Sequence, residues 1–273
     1  EEAWNDPQSP KSATTGRTVR DDCPDLNALR RGLPALVLRH NLHGVDIDPR
    51  CAQIAQLALW MRAQRAYNDF GMARGERLPI ARTNIVVAEP MPGERELREE
   101  FVTSVDKDLG QLVDRVFDKM TLAGDAGSLL KIEEEIPEAV REVYGEHGPL
   151  FQKSDEECWR EAENKLLYAL KNYAQRSQAN HAFHRRLFAE DAARGLAFIN
   201  LCRQKYDVCL ANPPFGEASE GSKEYVARQF GTTKHDLACT FAERCTSLVY
   251  DGGHVGHLTT RTWMFRQDGE QVA

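Results

Sequence analysis

The sequence predicts an α/β fold with a doubly wound sheet, on three observations. Short apolar or β-branched runs at 42–45, 83–88, 206–211 and 254–259 alternate with stretches whose apolar residues recur at helical spacing. The first two runs end in acids, Asp46 with Asp48 and then Glu89, and the third ends in Asn212-Pro213-Pro214-Phe215. In an open α/β sheet, ligands bind outside the carboxyl ends of the strands, which is where these residues fall.

Taken in order, the opening 32 residues are polar and punctuated by Pro7, Pro10, Gly16, Pro24 and Gly32, so they read as an irregular lead-in with one helix near Leu26 to Arg31. They carry no initiator Met, basic n-region or apolar h-region, and the expectation is a piece of a longer protein without a signal peptide. Leu42 to Val45 is a short strand. Asp48 as N-cap and Pro49 at the first helical position then open a helix with Ile54, Leu57, Ala58 and Met61 on one face. Thr83 to Ala88 is a second buried strand.

The next strand, Tyr206 to Ala211, arrives far beyond the roughly 2 to 6 residues of an ordinary βα connection, so the interval is an insertion with its own structure. It reads as helix. Leu97, Phe101, Val105, Leu109, Leu112, Val116 and Met120 recur every three or four residues, and Pro137 is expected to break or cap the middle piece. Ser154-Asp155-Glu156-Glu157 is a capping box before a helix through Trp159, Leu166, Leu170 and Tyr173. After Phe215 come a polar loop to Thr233, a helix with Leu237, Phe241, Cys245 and Leu248, a turn at Asp251-Gly252-Gly253 and a last strand, His254 to Thr259. The expected division is 1–93 and 201–273 as two parts of one core, with 94–200 inserted between them.

Composition excludes several classes. Mean hydropathy is -0.54 and no apolar run approaches the roughly 20 residues of a membrane helix. Seven cysteines, an odd number with no Cys-x-x-Cys, disfavour a disulfide framework and a zinc site, so no metal is expected and a reducing cytoplasm is. The net charge of -7 is uneven: residues 94–163 hold 20 acids against 9 bases, a net of -11, leaving +4 for the rest. From Leu170 to Ala189 there is no acid, while Lys171, Arg176, Arg185, Arg186, His181 and His184 interleave with Tyr173, Phe183 and Phe188. Such a stripe either tracks a phosphate backbone or is a solvated helix face whose aromatics point into a core, and the second is the expectation.

The chemistry concentrates at Asn212 to Phe215. Two consecutive prolines make a rigid extended turn and leave the Pro213 carbonyl free of a local donor. That carbonyl and the Asn212 side-chain oxygen can accept both hydrogens of an exocyclic amine, turning its lone pair outward, while Phe215 stacks on the ring that carries the amine. Asp46 stands where a strand-end acid accepts from ribose hydroxyls, and Glu89 where an acceptor meets an adenine amino group.

Gly44-Val45-Asp46-Ile47-Asp48-Pro49, Ala88-Glu89-Pro90 and Asn212-Pro213-Pro214-Phe215-Gly216, in this order, resemble motifs II, III and IV of the S-adenosylmethionine-dependent amino-group DNA methyltransferases. Gly252 to Leu258 is similar to the strand that follows in that family. The stretches from His40 to Phe70 and Arg185 to Gly216, with the helical insertion, resemble the adenine-specific enzymes of BREX-type phage-defence systems and large restriction-modification enzymes. The resemblance implies an incomplete Rossmann-like methyltransferase sheet with S-adenosyl-L-methionine as cofactor. By position, Asp46 would bind its ribose, Ile47 would pack on its adenine and Glu89 would hold the adenine edge. Asn212 and Pro213 would grip N6 of an adenine flipped out of double-stranded DNA, with Phe215 stacked on it. Defence-system proteins are the partners expected at the insertion.

The family's Gly-rich motif I does not occur between Glu1 and Gly44, and the resemblance implies that motif I and a domain for reading DNA sequence are to be expected outside these 273 residues. The isolated chain is therefore expected to be inactive. A nicotinamide dehydrogenase would need a Gly-x-Gly-x-x-Gly that is absent. Methylation of cytosine N4, RNA adenine or protein glutamine remains open, as does a catalytically silent protein-interaction module.

Overall fold

The computed structural model describes residues 2–6, 8–12, 16–80, 83–144, 155–175 and 182–259. The chain divides into two compact units, the first made of Glu1–Gly44 and Asp48–Ile85, the second of Val45–Ile47 and Val86–Ala273.

The first unit holds α1 (Glu2–Asn5), α2 (Val19–Asp22), α3 (Leu26–His40) and, after strand β1 (His43–Asp46), α4 (Pro49–Asp69). The α3 helix runs nine residues beyond Arg31, its expected end, through Gly32 and Pro34. Asp25 caps its start, its Oδ1 accepting from the Ala28 amide at 2.7 Å, and Pro34 and Leu38 are its buried residues. In α4, Asp48 is the N-cap, accepting from the Arg50 amide at 2.8 Å, with Pro49 at the first position. Hydrogen bonds from Arg50 hold the Asp48 carboxyl down to about 2. The apolar residues that showed the helix are exposed: Ile54, Leu57 and Met61 are more than half accessible, while Ala52, Ala63 and Tyr67 are the buried side.

Strand β2 (Asn84–Val87) pairs with β1; His43-Gly44 and Asn84-Ile85 fall in the first unit, the remaining strand residues in the second. The second unit continues with α5 (Arg95–Thr103), α6 (Lys107–Lys119), α7 (Ala123–Ala126), α8 (Ile132–Tyr144), α9 (Asp155–Ala174), α10 (Ala182–Arg203), β3 (Tyr206–Ala211), α11 (Lys223–Gln229), α12 (Leu237–Leu248) and β4 (Val249–His257). The apolar repeat from Leu97 to Met120 is split by Asp106, which caps α6 through the Leu109 amide at 3.0 Å. Pro137 lies inside α8, which continues through it. Ser154 of the expected capping box lies outside the described residues.

One buried core runs through this unit. Phe101, Val116, Ile132, Trp159, Tyr173, Phe188 and Phe198 from the helical interval join Tyr225, Phe230 and Leu237 from the segment after β3, and Val45, Val86 and Tyr206 of the strands pack against them. The basic stripe is absorbed into this packing only in part, since Phe183 stays exposed. Tyr173 and Phe188 are buried with Phe101, Arg185 pairs with Glu100 at 2.7 Å, and Arg186 with Glu190 at 2.8 Å. Arg176 and His181 lie outside the described residues.

Among the described residues the four strands form two two-stranded sheets, β1–β2 and β3–β4, rather than one continuous ladder. The fold is mixed α/β and mostly helical. β3 and β4 are parallel, with Val208 opposite His254 and Ala211 opposite His257. β4 begins earlier than expected, at Val249, and the Asp251-Gly252-Gly253 turn becomes an irregularity within it, made possible by Gly252 at φ +82°.

Candidate functional site

All the residues singled out in the sequence as binding or catalytic lie in the second unit. Asp46 ends β1 with its side chain exposed, and Ile47 follows, 57% exposed. The Ala88 amide donates to the Asp46 carbonyl at 2.9 Å, one residue beyond the end of β2. This bond places Asp46 and Glu89 at adjoining strand exits.

Glu89 is half-buried, and its Oε1 is buried without a hydrogen-bond partner. Arg194 of α10 stands 4.0 Å away and donates instead to Asp191, at 2.9 Å. Burial pushes the Glu89 carboxyl above its ordinary range; Arg194 pulls it down and Asp191 pushes it further up. An acceptor of this kind gains most from a donor brought by a ligand, because a buried oxygen left unmatched costs about 1–3 kcal/mol.

The Asn212–Phe215 turn leaves the other sheet. The Leu258 amide donates to the Ala211 carbonyl at 3.0 Å as the last tie before it. Asn212 and Phe215 are exposed, Phe215 at 59%, while Pro213 is buried and fixes the turn against the protein. Gly216 follows at φ +101°, a backbone that L residues rarely adopt, and its carbonyl accepts from the Leu237 amide at 2.8 Å. The turn is thereby pinned to the start of α12, whose N-cap Asp236 accepts from the Ala238 amide at 2.9 Å. The structure thus brings Asp46 and Glu89 to adjoining strand exits through the Ala88 amide and sets the Asn212 turn on the other pair of strands.

Sequence reasoning missed two features behind these residues. Arg244 of α12, 1% exposed, donates Nη2 to Glu133 Oε2 at 2.9 Å and Nε to the Ser128 carbonyl at 2.6 Å. The second is the stretch from Ala123 to Leu130, whose Gly124 and Gly127 interrupt the helical pattern between Met120 and Ile132, and that interruption was the signal available.

Comparison with known proteins adds an independent line. The chain is 25% identical over 264 residues to the adenine-specific methyltransferase BrxX of Escherichia coli O9:H4 (strain HS), an alignment covering 89% of this chain and 19% of that protein. The chain therefore spans about a fifth of the length of that relative. A family model matches residues 40–273, a range that contains Asp46, Ile47, Glu89 and the whole Asn212–Phe215 turn, and on that match the chain belongs to the Eco57I restriction-modification methylase family.

Proposed function

We propose that this chain supplies cofactor-side and target-side residues of a DNA adenine-N6 methyltransferase of phage defence or restriction-modification. The observation that carries the reading is the buried Oε1 of Glu89, which has no hydrogen-bond partner and faces Arg194 only at 4.0 Å, beside the exit of the Asp46 strand. An adenosine offers ribose hydroxyls to a strand-end acid and an amino group to the neighbouring acceptor, and the two acids have that order here. The residues fit S-adenosyl-L-methionine, with Asp46 on the ribose, Ile47 on the adenine face and Glu89 at its edge.

S-adenosylmethionine, when bound, supplies a methyl group on a sulfonium. Asn212 Oδ1 and the Pro213 carbonyl accept the two hydrogens of adenine N6 and hold its lone pair toward that methyl. The buried Pro213 fixes the carbonyl in advance, so little reorganisation accompanies the reaction. Phe215, exposed, offers its ring to the flipped base. The N6 lone pair so held would take that methyl group, the thioether departing with the C–S electron pair and the surplus N6 proton leaving to solvent. The acidic helical interval repels phosphate, so DNA approaches from the Asn212 side and defence-system partners take the acidic one. Without a Gly-rich motif I of its own, the 273-residue chain alone transfers no methyl group.

The test is methyl transfer by the full-length protein from labelled S-adenosylmethionine to DNA, RNA and protein acceptors. Label in DNA adenine, lost in Asn212→Ala with cofactor binding retained and lost in Asp46→Ala through weaker cofactor binding, is expected. Label confined to RNA, protein or cytosine would replace adenine with the other planar amines, and no label in any acceptor would leave a binding module.

A further inference from the structure

Resting on that reading, we infer that residues Gly124–Glu133 are a positioning joint that sets the separation between the cofactor-side and target-side residues. The segment meets the chain just after each candidate motif. A Cβ at Gly127 would stand 3.0 Å from Ile47 Cγ2, and one at Gly124 3.2 Å from Pro90 Cδ, next to Glu89. On the other side, the Asp125 carboxylate lies so close to Gly221 that a Cβ there would stand 2.7 Å from its Oδ2 and 3.1 Å from its Oδ1.

The same segment is strapped to the two helices that follow the Asn212 turn. The Lys131 amide donates to the Tyr225 hydroxyl of α11 at 2.8 Å, and its ammonium sits 4.8 Å from the centre of the Phe230 ring. The Ser128 carbonyl and the Glu133 carboxylate both accept from Arg244 of α12. Gly216 ties the turn itself to that helix through Leu237. The segment thus touches Ile47 and Pro90 on one side and Gly221, Tyr225 and Arg244 on the other. The two halves of the proposed site lie on different two-stranded sheets, so a shared rigid element is what fixes their spacing. Methyl transfer depends on that spacing, since misplacing reacting atoms by about 1 Å can cost on the order of a hundredfold.

At Gly221 an added Cβ meets only the carboxylate end of the exposed Asp125 side chain, which can rotate aside, whereas at Gly124, which has no positive φ, it meets the Pro90 ring, which cannot. In the full-length protein, Gly124→Ala is expected to lower the single-turnover methylation rate at saturating cofactor and DNA by tenfold or more. Dissociation constants for each ligand should stay within threefold, with cofactor stoichiometry by calorimetry counting the folded fraction. Pro90→Ala in the Gly124→Ala background removes the obstructing ring carbons and restores the rate to within threefold of wild type. Should Gly124→Ala fail to fold, Tyr225→Phe releases the Lys131 amide instead and gives the same split between rate and affinity. A folded Gly124→Ala protein with the wild-type rate, or one that Pro90→Ala does not rescue, would overturn the inference while leaving the methylase reading intact. A wild-type protein that methylates no DNA would overturn both.

Discussion

Arg244 and Glu133, 111 residues apart in sequence, face each other across the interior of the second unit, with Arg244 Nη2 2.9 Å from Glu133 Oε2. Burial of Arg244 is nearly complete, and the Ser128 and Leu130 carbonyls, Glu133 Oε1 and the Ser247 hydroxyl accept its other protons. Removing one partner of such a pair strands the other charge, so Arg244→Ala should lower unfolding stability by about 3–5 kcal/mol in urea melts. Replacing both with apolar residues of similar size, Arg244→Met with Glu133→Leu, should lose far less. Equal losses for the single and double variants would show that packing rather than charge dominates there.

A second expectation follows from the shared core. Phe101, Val116, Tyr173 and Phe198 of the helical interval pack in one cluster with Tyr225, Phe230 and Leu237, and Val45 and Val86 lean on it. Excising residues 95–195 and bridging with a short linker uncovers these apolar surfaces, each large side chain worth about 1.5–3 kcal/mol when buried. The shortened chain should be insoluble or lack a cooperative thermal transition. A soluble, cooperatively folding product would show that the strands support themselves.

How much of this was legible follows local chemistry. Asp48-Pro49 announced a helix start and formed one, because capping is decided within four residues. The strand Tyr206–Ala211 was readable as a β run, and the Asn-Pro-Pro turn after it as rigid, for the same reason. Pro137 was misleading, since it sits in a helix whose packing outweighs one lost hydrogen bond. The spacing of Ile54, Leu57 and Met61 showed the helix but not that these side chains are exposed, because periodicity reports a face and not what covers it. The Gly124–Glu133 contacts were illegible: they join Ile47, Pro90, Gly221 and Arg244, positions far apart in sequence, and no local pattern records such a meeting.

Glu89 gives a pH dependence with a definite sign. Burial raises its carboxyl above the ordinary 4.5, and only the ionised form is a pure acceptor for an adenine amino group. Cofactor affinity of the full-length protein should therefore be complete well above this raised value and fall as pH drops through it, starting at a higher pH than an exposed glutamate would give. Binding takes up the donor and favours the ionised form, so it releases protons inside that window. Glu89→Gln should flatten the dependence, and calorimetry in buffers of different ionisation heat measures both effects. The neighbours to control for are Arg194 and Asp191, one opposing and one reinforcing the upward shift.

The last prediction separates backbone strain at the target turn from strain elsewhere. Gly216, directly after Phe215, has φ +101°, and Gly71, past the end of α4, has φ +70°. At neither position would a Cβ meet anything within 4 Å, so an alanine acts at both through backbone strain alone, at about 1–3 kcal/mol. Gly71→Ala should lower the melting temperature and leave methylation per folded molecule as in wild type. Gly216→Ala carries a comparable stability loss, but relieving its strain rotates the chain between Phe215 and the Leu237 tie. It should cut the methylation rate at least tenfold, with cofactor affinity unchanged because Asp46 and Glu89 are untouched. Equal rates per folded molecule for the two variants would mean that the conformation at Gly216 has no part in presenting Asn212 and Phe215 to the base.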